Sequence, residues 1–186
     1  MSWSLPVSVE IDGKVYNISK KCDYRLVLDI LEILSDTDFS EKSRNLYALQ
    51  NFYENFDFDE QRIERALKEM HKIIDLGNEI EEKEQNKPRI MDWKHDFPII
   101  APAVSRVLGY SVRSADKYTH WWDFMGAYQE VGGDCLFANV ISIRNKKQKG
   151  KKLEKYEQEF YQENRKMVDL PLNITEEEQE WLDSDW

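Results

Sequence analysis

The chain has 186 residues and a formal charge of −10, with 33% charged and 41% hydrophobic residues. This is the balance of a globular protein that is long enough to bury its own core. No apolar run approaches the ~20 residues that cross a bilayer, and the N-terminus lacks a basic leader with an apolar stretch, so we expect neither a membrane protein nor a secreted one. The two cysteines, Cys22 and Cys135, are far apart, which excludes a disulfide framework and a cysteine zinc site and suits a reducing cytoplasm.

A β-hairpin is predicted near the N-terminus. Residues 7–18 alternate apolar and polar on both sides of Asp12-Gly13, a dipeptide that suits a two-residue type I′ turn. Because an isolated hairpin is only marginally stable, we expect its apolar face to pack on a helix or a partner strand. Its free edges are a candidate subunit contact. The apolar face is expected to comprise Val7, Val9, Ile11, Val15 and Ile18.

Three helices are predicted to follow the hairpin. Asp23 can cap the first, which should run to about Ser35, and Ser40 can cap the second. The third follows Asp57 and ends at Gly77. Their short connections indicate antiparallel packing. The residues with inward spacing are Leu26, Val27, Ile30, Leu31 and Leu34, then Leu46, Leu49, Phe52 and Tyr53, then Ile63, Leu67, Met70, Ile73 and Ile74.

Composition divides the chain into four parts. Residues 78–89 carry a single apolar side chain and the turn-favouring Pro88, which is typical of a mobile linker, although a solvated continuation of the third helix is the alternative. We therefore predict a hairpin with helices at 1–77, a charged linker at 78–90, an aromatic-rich helical region at 91–170 and an acidic tail at 171–186.

The aromatic-rich region is predicted to hold three helices. The first begins near Asp92, with Pro98 causing a kink or a late start, and Gly109 closes it. Ser114 or Asp116 should open the second, which carries Tyr118, Trp121, Trp122, Met125 and Tyr128. After Gly132-Gly133, Asp134 should cap the third, with Leu136, Phe137, Val140, Ile141 and Ile143 facing inward.

The charge pattern changes sharply after this point. Residues 144–166 hold nine basic residues against four acidic ones, whereas residues 168–186 hold seven acidic residues and no basic one. Thr175 and Glu178 are spaced as a capping box for a short helix in the tail. The basic segment is read as a solvated amphipathic helix, as a nucleic-acid-binding surface, or as a partner of the acidic tail of the same or a neighbouring copy, which would make oligomerisation sensitive to salt.

No constellation of catalytic or metal-binding residues emerges. The nearest approach is His95-Asp96 with His120 and Asp123, yet no HExxH or HxH spacing anchors two ligands. The chain has no GxSxG or cysteine nucleophile signature, and Gly132-Gly133 lacks the downstream residues of a phosphate loop. We therefore expect no catalytic residue, no cofactor, no metal and no enzymatic activity.

The run His120-Trp121-Trp122-Asp123-Phe124 is unusually rich in aromatic residues. Adjacent residues of a helix point about 100° apart, so the two indoles cannot both face the same core. Core packing is one interpretation for each of them, because large aromatic side chains dominate small-domain interiors. The other is that one of them faces a partner.

Several segments together resemble a bacteriophage family known as gene product fifteen. These are the opening residues 5–18, the start Met91-Asp92-Trp93-Lys94-His95-Asp96-Phe97 after a charged linker, the run from His120 to Phe124, the helix over 136–144 and a Lys-rich closing helix. The aromatic run is the most specific of them, and the resemblance covers about residues 5–170. Similar proteins are encoded in the tail gene cluster of long-tailed phages of Gram-positive bacteria, close to the tape-measure gene.

The predicted elements together indicate a mainly α protein, a multi-helix domain with a small N-terminal β-hairpin. The resemblance implies a tail assembly chaperone in the host bacterial cytoplasm, which binds and masks the tape-measure protein and leaves as tail tube subunits polymerise. The expected partners are the tape-measure protein, the tail tube protein and further copies of the chain, without nucleic acid or membrane. The alternatives are a structural virion component (a minor tail or head–tail connector protein) and a nucleic-acid-binding or host-interfering phage protein. Besides the hairpin, the candidate partner-binding residues are Trp93, Trp121, Trp122, Phe124, Lys147, Lys151 and Lys152.

Overall fold

The computed structural model describes residues 4–78 and 89–171, of which 59% are helical. A two-stranded antiparallel sheet and eight α-helices confirm the predicted mainly α fold with an N-terminal hairpin. Most of the predicted linker, and the acidic tail after Pro171 with its capping box at Thr175, lie outside the described residues. The elements are β1 (Ser8–Ile11), β2 (Lys14–Asn17), α1 (Tyr24–Ser35), α2 (Glu41–Phe52), α3 (Glu60–Ile74), α4 (Trp93–Leu108), α5 (Trp121–Gln129), α6 (Leu136–Gln148), α7 (Lys155–Glu163) and α8 (Arg165–Val168).

The described residues form two compact units. The first contains residues 4–78 and 118–123, and the second contains residues 89–117 and 124–171. The domain boundaries expected from composition stay a prediction. None of the helices in the described ranges is both long and apolar enough to span a membrane.

The hairpin turns at Asp12-Gly13, as predicted. Both residues have positive φ, 52° and 77°, which is the backbone conformation of a type I′ turn. Val9 pairs with Tyr16, and Ile11 with Lys14. Val9, Ile11 and Tyr16 are buried, so the hairpin lays this face on the first unit.

The predicted apolar face was wrong at two positions. Val15 pairs with Glu10, on the opposite face of the hairpin from Val9, and is 62% exposed. A two-residue turn sets this register, so Tyr16 takes the inward position that the alternation had given to Val15. Val7 is also exposed, although its carbonyl accepts a hydrogen bond from Ile18 N at 2.9 Å.

Side chains cap the three helices of the first unit. The Asp23 carboxylate accepts from Arg25 N at 3.0 Å, and the Ser40 hydroxyl accepts from Ser43 N at 3.2 Å, as predicted. Asp59 caps α3, two residues beyond Asp57. The helices bury Leu26, Val27, Ile30, Ala48, Leu49, Phe52, Tyr53, Ala66, Met70, Ile73 and Ile74. The predicted inward residues Leu31, Leu34, Leu46, Ile63 and Leu67 are half-buried.

In the second unit, α4 begins next to Asp92, as predicted. Asp92 caps it by accepting from His95 N at 2.6 Å, and the helix continues through Pro98 and Pro102. A late start was therefore wrong, because the cap sets the first turn before the proline is reached. Gly109, with φ 76°, ends α4 in the left-handed conformation, as predicted.

The start of α5 differs from the prediction. The helix begins at Trp121 rather than at Ser114 or Asp116. Residues 115–116 form a turn, His120 forms an antiparallel bridge with Asp23, and Tyr24 N donates to Thr119 O at 2.9 Å. These contacts of residues 119–120 with residues 23–24 therefore keep the helix that the pattern of residues 114–120 predicts from beginning before Trp121.

The start of α6 also corrects the prediction. Cys135 caps the helix, its Sγ accepting from Ala138 N at 3.4 Å, whereas Asp134 forms an ion pair with Arg106 at 3.3 Å. Leu136, expected to face inward, is the first residue of α6 and is 43% exposed, whereas Phe137, Val140 and Ile143 form the buried face.

The Lys-rich segment is not one closing helix. Gly150, with φ 61°, follows the end of α6, and α7 and α8 come after it as separate helices. The Glu157 carboxylate accepts from Glu154 N at 2.9 Å and fixes the start of α7. The turn at Gly150 therefore interrupts the periodicity that indicated a single helix.

Candidate partner-binding surfaces

Trp121 and Trp122 both cover the C-terminal end of α3. The Trp121 indole N–H donates to Ile74 O at 2.8 Å, and the Trp122 indole N–H donates to Ile73 O at 2.9 Å. These carbonyls belong to the last turn of α3, where the helix itself supplies no donor. Trp121 is 1% exposed and Trp122 is half-buried. Two indoles that point in different directions thus satisfy neighbouring carbonyls of one helix.

Backbone amides complete this helix end. Asp75 N donates to His71 O at 2.8 Å, and Gly77 N donates to Lys72 O at 2.7 Å. Gly77 has φ 87°, and a Cβ added there would lie 3.5 Å from the Trp122 ring. The helix ends at Ile74, and Gly77, the predicted stop, closes the turn that follows it, so that the four last carbonyls of α3 all have donors.

The other two aromatic candidates lie in the second unit. Phe124 is fully buried and Trp93 is half-buried, with ring centroids 6.2 Å apart. The Tyr128 ring is tilted against Trp93, with the ring centroids 5.2 Å apart, and its hydroxyl donates to the Met91 sulfur at 3.1 Å. Burial raises the pKa of Tyr128 to about 12. Of the four aromatic candidates, Trp93 and Trp122 therefore keep part of their surface exposed.

The three lysine candidates have different surroundings. Lys147 donates to Asp169 at 2.6 Å and lies 3.7 Å above the Tyr161 ring, so an acidic and an aromatic neighbour already hold its ammonium group. Lys151 and Lys152 lie exposed in the connection between α6 and α7.

Acidic residues of the second unit neutralise part of the basic segment. Lys146 contacts Glu157 at 2.6 Å, and Arg165 contacts Asp169 at 3.2 Å. The hydrogen bond from Lys146 lowers the pKa of Glu157. These pairs neutralise, within the second unit, part of the positive charge for which a nucleic acid or the acidic tail was a possible partner.

Sequence reasoning missed a buried ion pair between Arg144 and Asp96. Arg144 is 5% exposed, Asp96 is 1% exposed, and two hydrogen bonds of 2.6 and 2.8 Å join them. The three remaining guanidinium N–H groups donate to the carbonyls of Val168 (2.6 Å), Met167 (2.9 Å) and Ile90 (3.1 Å). All five donors of Arg144 are thereby used. The available signal was that Arg144 follows Val140 by four residues, on the inward face of its helix.

The histidines considered as metal ligands have structural partners. The His120 ring accepts from Trp122 N at its Nδ1 (3.0 Å), so Nε2 carries the proton that it donates to Pro6 O at 2.9 Å. His95 Nε2 lies 3.2 Å from Met167 O. Within residues 4–78 and 89–171, no group of three or more His, Cys, Asp or Glu side chains could hold a metal ion.

An exposed aromatic pair lies at the connection between α1 and α2. Phe39 is 49% exposed, Tyr47 of α2 is 45% exposed, and their rings meet edge to face with centroids 5.8 Å apart. Large apolar side chains that contact each other at the surface mark candidate protein contacts. Sequence reasoning did not select this pair, because neither residue belongs to a dense aromatic run.

Comparison with known proteins identifies the family. The chain has no significant match among curated proteins or among solved structures. A family model described as bacteriophage Gp15 protein matches residues 1–170, which include every described residue except Pro171. The match confirms the resemblance drawn from the hairpin, the aromatic run and the Lys-rich segment, and the chain therefore belongs to the bacteriophage Gp15 family.

Proposed function

We propose that this phage protein is a non-enzymatic tail assembly chaperone that binds and masks the tape-measure protein in the host cytoplasm. Membership of the Gp15 family over residues 1–170 is the observation that carries the proposal. The tape-measure partner is expected to be a long helix with apolar stripes, and an assembling tail tube must displace whatever covers it.

The Phe39–Tyr47 pair is the contact that we favour for this partner. It exposes two aromatic rings that meet edge to face at the connection between α1 and α2, and an amphipathic helix binds apolar surfaces through residues spaced three and four apart. Leu31 and Leu34 of α1 keep part of their surface exposed. A contact made by a few exposed side chains gives weak binding, and many copies along one long partner would convert weak contacts into stable coverage. Weak individual contacts also permit release.

Co-expression with the tape-measure protein encoded beside this gene tests the proposal. We expect a large soluble complex in size-exclusion chromatography with light scattering, and an aggregated tape-measure protein when this chain is absent. The double variant Phe39→Ser with Tyr47→Ser should lose the complex. Tyr156→Ser is the matched control, because Tyr156 is an exposed aromatic residue outside the pair, and this variant should keep the complex.

Two outcomes count against the proposal. If the tape-measure protein stays aggregated in the presence of the wild-type chain, the chaperone function is wrong. If protein analysis of purified virions finds this chain in stoichiometric amounts, the alternative of a structural tail or connector component is favoured. Repeating the chromatography at high salt tests a separate contact through the exposed Lys151 and Lys152, because screening weakens charge contacts and spares apolar ones.

A further inference from the structure

Carboxylates lie close to the exposed pair of Phe39 and Tyr47. Asp36, Asp38 and Glu41 are at most three residues from Phe39 in the chain, so their Cα atoms lie within ~11 Å of the Phe39 Cα. Asp38 and Glu41 are exposed, and Asp36 is half-buried. None of these three carboxylates forms an ion pair with another residue of the described ranges. The aromatic pair therefore has negative charge beside it that no cation of the described chain neutralises.

The outward side of α1 extends this group of carboxylates. Asp29, Glu32 and Asp36 are spaced three and four residues apart, so they lie along one side of the chain as it leaves the helix. Asp29 and Glu32 are exposed. Residues 26–41 contain five acidic residues and no basic one. A row of carboxylates thus leads along α1 towards the aromatic pair.

Other charges near the pair do not cancel these carboxylates. The next basic residues are Lys42 and Arg44, two cations against five acidic residues, and Arg44 already donates to Asp36 O at 3.2 Å. The C-terminal end of α1 meets the N-terminal end of α2 here, and the partial charges of two helix ends are about half a charge each and opposite in sign. Since these two partial charges nearly cancel, the carboxylates determine a negative potential at the pair.

Aromatic rings beside carboxylates hold cations elsewhere in this protein. The negative face of an aromatic ring attracts a Lys or Arg side chain, and a neighbouring carboxylate adds an ion pair. Three such combinations occur: Tyr16 with Asp57 around Lys14, Tyr24 with Asp23 around Arg25, and Tyr161 with Asp169 around Lys147. Among the described residues, no cation lies over the Phe39 or the Tyr47 ring. The aromatic pair and its carboxylates therefore offer a site of this kind to a cation from outside.

We propose that the partner helix at Phe39 and Tyr47 is cationic, with Lys or Arg residues on both sides of its apolar stripe. The stripe covers the two rings, and the flanking cations bind Asp36, Asp38 and Glu41. Arg suits this place best, because its guanidinium both stacks on an aromatic ring and binds a carboxylate through two hydrogen bonds. This inference rests on the proposed function, since it names the chemistry of the partner at the same site.

Two synthetic peptides and the full chain test the inference. Both peptides are helices of about 18 residues with the same leucine stripe, and the flanking positions are lysine in one and glutamate in the other. Calorimetry at ~50 mM salt should give a dissociation constant roughly tenfold lower for the lysine peptide, as expected for a few exposed ion pairs. The double variant Phe39→Ser with Tyr47→Ser should lose this binding. Equal affinity for the two peptides, or undiminished binding of the lysine peptide by the double variant, overturns the inference.

Charge variants separate the carboxylates beside the pair from the net charge of the chain. The triple variant Asp36→Asn, Asp38→Asn and Glu41→Gln should lose the preference for the lysine peptide. The matched control neutralises three exposed carboxylates of β1 and α3 and should keep the preference; its changes are Glu10→Gln, Glu60→Gln and Glu64→Gln. Circular dichroism checks that both variants are folded. An equal loss of preference in the two variants would assign it to net charge and overturn the inference.

Failure of this inference can be distinguished from failure of the proposed function. A tape-measure protein that co-elutes with the wild-type chain, while the two peptides bind equally, rejects only the cationic partner. A tape-measure protein that stays aggregated, while the lysine peptide binds at Phe39 and Tyr47, rejects the chaperone function and keeps the cationic site. If the chain alone forms an oligomer that the triple variant disperses, the occupant is a second copy and the inference is overturned.

Discussion

Arg144 holds Asp96 through two parallel hydrogen bonds inside the second unit, 48 residues apart in the chain. Asp92 N adds a third hydrogen bond to the carboxylate at 3.0 Å. Both charges of the pair therefore have hydrogen-bond partners besides each other, and a buried charge is tolerated when it is paired and hydrogen-bonded in this way. It also fixes α4, α6 and α8 to one another, since the same guanidinium binds carbonyls of Met167 and Val168.

Asp96→Asn should destabilise the protein by about 3–5 kcal/mol, because Arg144 would remain buried without its anion. Urea unfolding followed by circular dichroism measures this loss. Lys147→Gln is the control: it breaks an ion pair with Asp169 in which both side chains are at least one-third exposed, and it should cost only about 0–1 kcal/mol. Equal effects of the two variants would contradict the buried pair.

Trp121→Phe should cost more stability than Trp122→Phe. Ile74 O would lose its indole donor in a buried site, whereas Ile73 O also accepts from Leu76 N at 3.3 Å. A buried acceptor left without a donor costs about 1–3 kcal/mol, in addition to the lost packing of the larger ring. Thermal unfolding of both variants measures the two losses of stability. A greater loss for Trp122→Phe would contradict the prediction that the hydrogen bond from Trp121 contributes more to the end of α3.

The stability of the protein should fall as the pH rises from about 9 towards 12. Burial raises the pKa of the Cys22 thiol from 9.0 to about 12. Below pH 9 the Cys22 thiol is neutral in both the folded and the unfolded chain, so its full contribution to stability is present. Above pH 9 it ionises first in the unfolded chain, which lowers the free energy of unfolding by ~1.4 kcal/mol per pH unit. Urea midpoints between pH 7 and 11 should decline less steeply for Cys22→Ala than for the wild type.

The two thiols should differ in reactivity. Cys22 is fully buried with a raised pKa, and Cys135 is partly exposed at the start of α6. Since the thiolate is the reactive form, a chromogenic disulfide reagent at pH 8 should modify one thiol rapidly in the folded protein and both in urea. Mass spectrometry should locate the fast modification at Cys135. Rapid modification of both thiols in the folded protein would contradict the burial of Cys22.

Local signals in the sequence predicted much of the fold. The Asp12-Gly13 turn and the caps at Asp23, Ser40 and Asp92 depend on a few neighbouring residues, so the sequence displays them directly. The glycine stops at Gly77 and Gly109 are of the same kind.

Contacts between distant residues account for what was missed. Residues 114–120 have a helical pattern, but the bridge to Asp23 keeps His120 extended. Arg144 lies in a basic segment whose composition indicates a solvated surface, yet its partners are Asp96 and Ile90, and no local pattern reveals either. Trp121 and Phe124 were candidates for contact with a partner, but both are buried. The sequence could not exclude them, because a dense run of aromatic residues indicates a core as readily as a contact surface.

The inclusion of residues 118–123 in the first unit has a consequence for the order of synthesis. The indole donors for Ile73 O and Ile74 O are 49 and 47 residues further along the chain. At ~5–20 residues per second, the ribosome needs roughly 2–10 s to deliver them after α3 is made. During that interval the nascent N-terminal part has its hairpin and three helices but not the segment that completes their packing. A gene fragment that stops at residue 78 therefore encodes an unfinished unit, and a stable shortened form must extend at least through Asp123.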